Sequence, residues 1–344
     1  CKLNLKTVKK KLVILFNETI FKKGENFFGE SLDSKSISEG LSKNYDIEVI
    51  GRTSKIDNPH KINLKNVNVS SNIFSYMIIL LRNIFKKRKY LIVSISPSTF
   101  FGGLILMIFG KKPFLYLRSD GFEEYKKILG IFGIFLYQIL FSILTLRCEI
   151  ISCNSVILRG KKGSIVSPSQ LSNRWFKNIS KPGLSKISLL YVGRLRIEKG
   201  IFSLMEELNK INMNFELTII PAGEYKNFKI NNDNIKIKNI NNINDSIINE
   251  YDQKNIFILP SFTEGHPQVL DEALARRRPV LIFEDIEHVI GNRKGVFVTK
   301  RNHILLKDKL NFILKNYDKI YESMKDNILP TKSEFINSLE KVIK

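Results

Sequence analysis

Apolar residues in this chain gather into short continuous runs set between polar stretches, and the length of each run sets the first expectation. KLVILF (11–16), YLIVSIS (90–96), PFLYLRS (113–119) and EIISC (149–153) are runs of strand length with little alternation. Such runs predict strands covered on both faces, as in a parallel sheet. In the second half, strands are predicted over 187–193, 215–220, 235–239, 255–259 and 279–283, and helices over 201–210, 246–251 and 268–276. That alternation implies a parallel sheet with helices on both faces. A helical stretch over 304–326 precedes Pro330 and a last amphipathic run, 331–344.

The expected architecture is therefore α/β, with two Rossmann-like doubly wound domains facing across a cleft. The boundary is expected in NISKPGLSK (178–186), where Pro182 and Gly183 punctuate two periodic regions, giving domains 1–182 and 183–344. At 344 residues and 43% hydrophobic composition the chain can bury two cores of ordinary size. The Asn-rich stretches 231–234 and 239–245 read as loops. In open α/β sheets ligands collect where strands end, so the loops 17–31 and 118–125 are of interest in the first half.

Candidate chemistry is concentrated in the second half. SFTEGHPQVLDEAL (261–274) follows the apolar run NIFILP (255–260). Pro267 suits a first helical position, and Val269, Leu270, Ala273 and Leu274 form one apolar stripe behind it. This places Glu272 about one turn inside a helix and leaves Glu264 in the loop ahead of it. Two carboxylates there can hold sugar hydroxyls while the N–H groups of the first turn hold a phosphate. In LLYVGRLRIEKG (189–200), Gly193 and Arg194 end an apolar run, and Lys199 and Gly200 open a helix. The fork of Arg194 and the point charge of Lys199 can neutralise a pyrophosphate. Taken singly, each has a bland reading: an acid that complements a helix dipole, or a solvated surface cation.

Taken together and in order, these segments resemble a known family. VGRLxxEKG, an E-x7-E pair about 65 residues later, and a Pro-Val strand are similar to the retaining family-4 ("group 1") glycosyltransferases of the GT-B fold. The likeness is close over 187–315, including RPVLIFED (278–285) and KGVFVTKRN (294–302), and holds in outline before that. It implies that Arg194 and Lys199 bind the donor diphosphate and that Glu272 binds the ribose hydroxyls. Glu264, with the backbone of Gly265, His266, Pro267 and Gln268, would address the transferred sugar and its phosphate. His266 is either a sugar contact or a histidine bonded within its loop. Asp120, after the run 113–119, is a candidate for acceptor activation beside Glu264 in the catalytic set; the competing reading is a helix N-cap. The chain departs from the family in lacking paired glycines after its first strand. It also carries Arg276, Arg277 and Arg278 before the Pro-Val strand, where they are expected to complement a helix C-terminus.

The resemblance implies transfer of a hexosyl group from a nucleotide diphosphate sugar to an acceptor hydroxyl with retention, in cell-surface polysaccharide or glycolipid synthesis. The acceptor would be lipid-linked or a glycan, and the last helix would cross back to the first domain. No D-x-D element is present, so no metal is expected, and the nucleotide sugar is a substrate with no further cofactor.

Charge adds a partner. The net charge of +22 divides into +18 over residues 1–183 and +4 over 184–344. KKRK (86–89) ends an apolar stretch, NIFSYMIILLRNIF (72–85), which suits a surface attracted to anionic lipid headgroups; the alternative is a buried helix with a basic last turn. Residues 128–146 carry no formal charge and approach bilayer-spanning length, although Gly130, Gly133 and Gln138 dilute them. A span, a membrane-dipping face and a buried helix all stay open for this run. Cys1, Cys148 and Cys153 form neither a disulfide framework nor a metal-ligand spacing. No secretory signal is read in a chain that starts at Cys1. The cytoplasm, where nucleotide sugars are made, is the expected location, peripheral on the inner face of the cell membrane. Two alternatives stand beside the transferase: a sugar-nucleotide epimerase of the same fold and a basic membrane-surface binding protein. Nucleic acid is disfavoured, because the basic clusters lack interleaved aromatics.

Overall fold

In the computed structural model, residues 9–82, 84–222, 232–240 and 243–344 are described. Cys1 and parts of the two Asn-rich stretches, Asn231, Asn241 and Asn242, lie outside them. The chain divides into two units, Cys1–Gln170 with Lys332–Lys344, and Leu171–Thr331.

In the first unit the apolar runs become strands of one sheet: β1 (Lys10–Lys23), β2 (Asn26–Gly29), β3 (Tyr45–Thr53), β4 (His60–Ile62), β5 (Val67–Ser70), β6 (Lys89–Val93), β7 (Phe114–Leu117), β8 (Glu149–Ser152) and β9 (Ser164–Ile165). Seven run parallel in the order β5-β3-β1-β6-β7-β8-β9, and β2 and β4 extend the far end of β1 antiparallel. The stretch 17–31, expected as a loop, is mostly a hairpin: β1 continues to Lys23, turns at Gly24 (φ 59°) and returns as β2. Glycine takes that left-handed turn without steric cost. Ile20 is buried on the hairpin, and Phe21 meets Phe28 across it with ring centroids 6.5 Å apart.

Helices α1 (Leu32–Leu41), α2 (Ile73–Leu81), α3 (Pro97–Ile108), α4 (Gly121–Leu129) and α5 (Ile131–Thr145) cover the sheet. Because strand side chains alternate between faces, β1 serves two cores. Leu12, Ile14 and Phe16 pack with Ile37 and Leu41 of α1, and with Phe335, Leu339 and Ile343 of the helix Lys332–Ile343. Val13 and Leu15 lie in the other core, with Leu80 of α2, Leu106 of α3 and Leu144 of α5. The helix expected over 72–85 is shorter: Asn72 and Ser75 form a capping box, Arg82 caps the far end, and Lys89 already belongs to β6. The uncharged run 128–146 is broken at Gly130 (φ 65°), which ends α4 and opens α5. At Gly133 a Cβ would fall 2.0 Å from the Tyr125 carbonyl oxygen, so glycine is what lets α5 lie against α4. Among the described residues no helix is long and apolar enough to cross a membrane.

The second unit contains β10 (Ile187–Gly193), α6 (Ile201–Asn209), β11 (Phe215–Pro221), β12 (Ile235–Ile237), α7 (Ile243–Gln253), β13 (Ile256–Leu259), α8 (Gln268–Ala275), β14 (Val280–Phe283), β15 (Val296–Thr299), α9 (His303–Lys315) and α10 (Tyr317–Ser323). The helix expected over 304–326 is interrupted at Asn316. All six strands are parallel, in the order β12-β11-β10-β13-β14-β15. Counted within the unit this is the Rossmann strand order, and its direction reverses between β10 and β13. The remaining helix, Lys332–Ile343, is α11 and packs in the first unit.

The boundary falls at Gln170/Leu171, ahead of the 182/183 position expected from Pro182 and Gly183. Leu171 and Trp175 are buried in the second unit's core, and the next residues are held by arginines read above as helix-end charges. Arg276 and Arg278 are in fact buried. Arg276 donates to the carbonyls of Trp175, Lys177 and Asn178, Arg278 to those of Tyr251, Ser180 and Asp252, and both bond the Asp252 carboxylate. A run of carbonyls in irregular backbone needs donors, and two guanidinium forks supply them.

Candidate functional site

The switch point of the second sheet brings the loops after β10 and β13 side by side. At Gly200 (φ 66°) a Cβ would fall 1.9 Å from the Pro260 carbonyl oxygen, so only glycine allows the approach. Phe262 N–H donates to the Glu198 carbonyl at 3.0 Å and ties the loops through backbone. Arg301 completes the joint. Its guanidinium lies over the rings of Phe262 (3.9 Å) and Phe283 (4.4 Å) and donates to the Pro260 carbonyl at 2.7 Å and to Asp285 at 2.9 Å. A cation stacked on two aromatic faces, with its hydrogen bonds directed at a loop, fixes that loop's path.

The joint sets Lys199 against Glu264. Lys199 Nζ lies 2.6 Å from Glu264 Oε1, which also accepts from Ser261 Oγ at 2.6 Å, and both side chains of the ion pair are largely shielded from solvent. His288 Nε2 lies 2.8 Å from the Glu264 carbonyl. Lys199, Glu264, Arg194, His266, Pro267 and Gln268 line a single cavity of about 230 Å³. Arg194 is exposed, and its carbonyl accepts from the buried Tyr191 hydroxyl at 2.8 Å, which fixes the backbone where the loop leaves β10.

Pro267 is the N-cap of α8, extended at φ −75° and ψ 107°, and the helix starts at Gln268, as the range 268–276 expects, so Pro267 lies just ahead of the first helical position and not in it. Proline's fixed φ fits either position, but the extended ψ excludes it from the helix. No side chain caps α8, and the positive end of its dipole faces the cavity loop; Asp271 is the acid of its first turn, held by His266 and Arg293. Gly265 stands between Glu264 and His266 in that loop.

His266 and Asp271 make a buried couple at 2.9 Å, and Arg293 Nε reaches Asp271 Oδ1 at 2.7 Å. Burial pushes the Asp271 carboxyl up, but the His266 hydrogen bond and the Arg293 charge outweigh it and hold the group below its ordinary range. With Asp271 ionised, the shared proton sits on Nε2 and leaves Nδ1 as the imidazole's other contact. Glu272 lies one turn inside α8, where Oε2 accepts from the Tyr251 hydroxyl at 2.9 Å. Burial pushes its carboxyl up to about 7 against the lowering effect of the Tyr251 bond, and neighbouring Asp271 adds to the rise.

Asp120 lies in the first unit. It is the N-cap of α4: Oδ1 accepts from Phe122 N–H at 3.0 Å, and Oδ2 pairs with Arg159 at 2.8 Å. The capping alternative is thus realised in the geometry.

Sequence reading missed Ser261, Asp271, Arg293, Tyr251 and Arg301. Asp271 had a signal, since it adjoins Glu272 and lies five positions after His266, one turn of helix and a cap apart. Arg301 and Arg293 come from distant segments and carried none.

Residues 173–329 match the family model described as "Glycosyl transferases group 1". A putative teichuronic acid biosynthesis glycosyltransferase, TuaC of Bacillus subtilis (strain 168), is 32% identical over 122 residues, which is 35% of this chain and only 29% of that relative's length. Sucrose-phosphate synthase from Thermosynechococcus elongatus superposes with a TM-score of 0.71 at 13% identity, over 97% of this chain and 98% of that one. A glycosyltransferase from Rickettsia africae gives 0.66 at 12% identity, over 98% of each chain. Anabaena HepE in complex with UDP gives 0.67 at 11% identity, over 97% and 99%. At those identities the structural likeness establishes the fold. Residues 173–329 are therefore similar to the group 1 glycosyl transferases, in a chain whose fold is that of the GT-B glycosyltransferases.

Proposed function

We propose that the chain transfers a hexosyl group from a nucleotide diphosphate sugar to an acceptor hydroxyl, with retention at the anomeric carbon. The observation that carries this reading is the convergence of Arg194, Lys199, Glu264 and the uncapped start of α8 on one cavity at the switch point of a parallel sheet. A diphosphate leaving group needs positive charge that is in place before the bond breaks. Lys199 and Arg194 supply it from one side and the α8 N-terminus from the other. Lys199 then exchanges part of its contact with Glu264 for phosphate oxygens, which frees the Glu264 carboxylate for sugar hydroxyls. Glu272 takes the ribose hydroxyls. His266, oriented by Asp271, offers Nδ1 to the sugar, and Gly265, Pro267 and Gln268 shape the turn that receives it. Asp120 is assigned to orienting the acceptor. No metal step is invoked. TuaC is named for teichuronic acid biosynthesis, and that likeness supports an acceptor that is lipid-linked or a glycan.

The test is incubation with a panel of nucleotide sugars, with and without a lipid-linked acceptor extract. The expected result is acceptor-dependent release of nucleoside diphosphate that survives chelation, with the donor's anomeric configuration kept in the product as read by NMR. Conversion of donor to an isomer without acceptor would establish an epimerase instead.

A further inference from the structure

One helix layer of the first unit is apolar on the face it turns to solvent. Along α2, Tyr76 and Leu80 are buried against the sheet, while Phe74, Ile78, Leu81 and, just beyond the helix, Phe85 recur at helical spacing and are exposed, Phe74 at 74% and Phe85 at 82%. A segment apolar on every side belongs in a core or at a lipid boundary, and only one side of this one is in the core. α3 packs beside α2 and continues the patch through Ile108, 80% exposed, and Phe109, whose ring meets Phe85 edge-on at 5.5 Å. α5 lies against α3 and adds Ile131, 85% exposed, with Phe132 and Phe135.

The charges beside this patch are predominantly cationic; the acids near it are Glu123 and Glu124 of α4, Glu123 lying 3.7 Å from Lys126, and Glu149 after α5. Residues 58–119 contain no Asp or Glu, and neither do residues 125–148. Arg82, Lys86 and Lys87 follow α2, Lys112 follows α3, Lys126 closes α4 and Arg147 follows α5, all exposed. Bulky apolar tips bordered by long cationic side chains fit acyl chains lying beneath anionic headgroups, because the stems of Lys and Arg lie along apolar surface while their charges reach the phosphates.

We infer that the outer face of α2, α3 and α5 docks the first unit on an anionic lipid bilayer, with Phe85, Ile108, Ile131 and Phe135 entering the headgroup boundary and the bordering cations binding lipid phosphates. This surface lies in a different unit from the donor cavity and stands whether or not the transferase reading holds. The test is flotation of the full chain with vesicles of phosphatidylcholine alone or mixed with phosphatidylglycerol, while nucleotide binding is measured separately. Wild type is expected to float with the mixed vesicles, to remain behind with phosphatidylcholine alone, and to dissociate as salt rises. Phe85→Glu with Phe135→Glu, and separately Lys86→Glu with Lys87→Glu, should each weaken binding at least about tenfold, since each cation near such a surface contributes roughly fivefold. Melting curves confirm that each variant is folded, and Ile328→Glu, a change at a 98% exposed position in the other unit, should leave binding unchanged. The inference is overturned by absent flotation, by equal binding to neutral vesicles, by folded variants that bind as wild type does, or by a self-associated form that these substitutions dissociate.

Discussion

Lys199 and Glu264 hold each other at 2.6 Å in a cavity that also receives Arg194 and the start of α8. Lys199→Ala should lower turnover at least about 100-fold, the scale of removing a preorganised donor from a developing charge. Steady-state kinetics with the identified donor checks this, and a near wild-type rate would remove Lys199 from the mechanism. Glu272 gives a pH signature. Its carboxyl is pushed up to about 7 in the free protein. Accepting ribose hydroxyls favours the ionised form, so nucleotide binding must expel a proton wherever Glu272 is protonated. Affinity should therefore be constant above about pH 8 and fall as pH drops through 7, with proton release on binding near neutrality. Calorimetry of nucleoside diphosphate binding in buffers of different ionisation enthalpy measures both, and the slope should vanish in Glu272→Gln. The principal acids and cations of this site were legible because E-x7-E and VGRLxxEKG lie within short segments whose helix and strand periodicity fixes where they project. Asp271, Arg293 and Arg301 were not, because their partners come from elements far apart in sequence.

At the scale of elements, the strands read best where apolar runs are unbroken. β10, β13 and β14 fall within a residue of their expected ends, whereas β3 was missed because YDIEVIGRT mixes charged residues into its pattern. The hairpin of β1 and β2 was read as a loop since its polar residues suggested one, although Gly24 marks a tight turn. The arginines after α8 show the same limit. A basic cluster at a helix end reads as solvated, and only the folded chain shows Arg276 and Arg278 bonding six carbonyls besides the Asp252 groups. Arg278→Met should cost about 2 to 5 kcal/mol, because the Ser180 and Tyr251 carbonyls lose their buried donor while the Asp252 carboxylate keeps Arg276. Chemical denaturation checks the value, and a loss below about 1 kcal/mol would mean that water replaces the guanidinium.

For the whole molecule, α11 matters out of proportion to its length. Phe335, Ile336, Leu339 and Ile343 are all buried in the first unit's core, and Ile336 fills the space over Gly40, where a Cβ would come within 2.8 Å of it. Phe335→Ala should destabilise the first unit by about 3 to 5 kcal/mol, the usual cost of emptying a buried aromatic site. Nucleotide affinity, which the proposed function assigns to the second unit, should stay as it was, and calorimetric melting with and without nucleotide separates the two effects. The same wrap has a consequence for biogenesis. On the ribosome the segment that begins the first unit waits, with one core open, while the whole of residues 171–331 is made and can fold. The first unit is therefore completed after the second has been made, and its α1-side core stays open until residues 332–344 are available to close it.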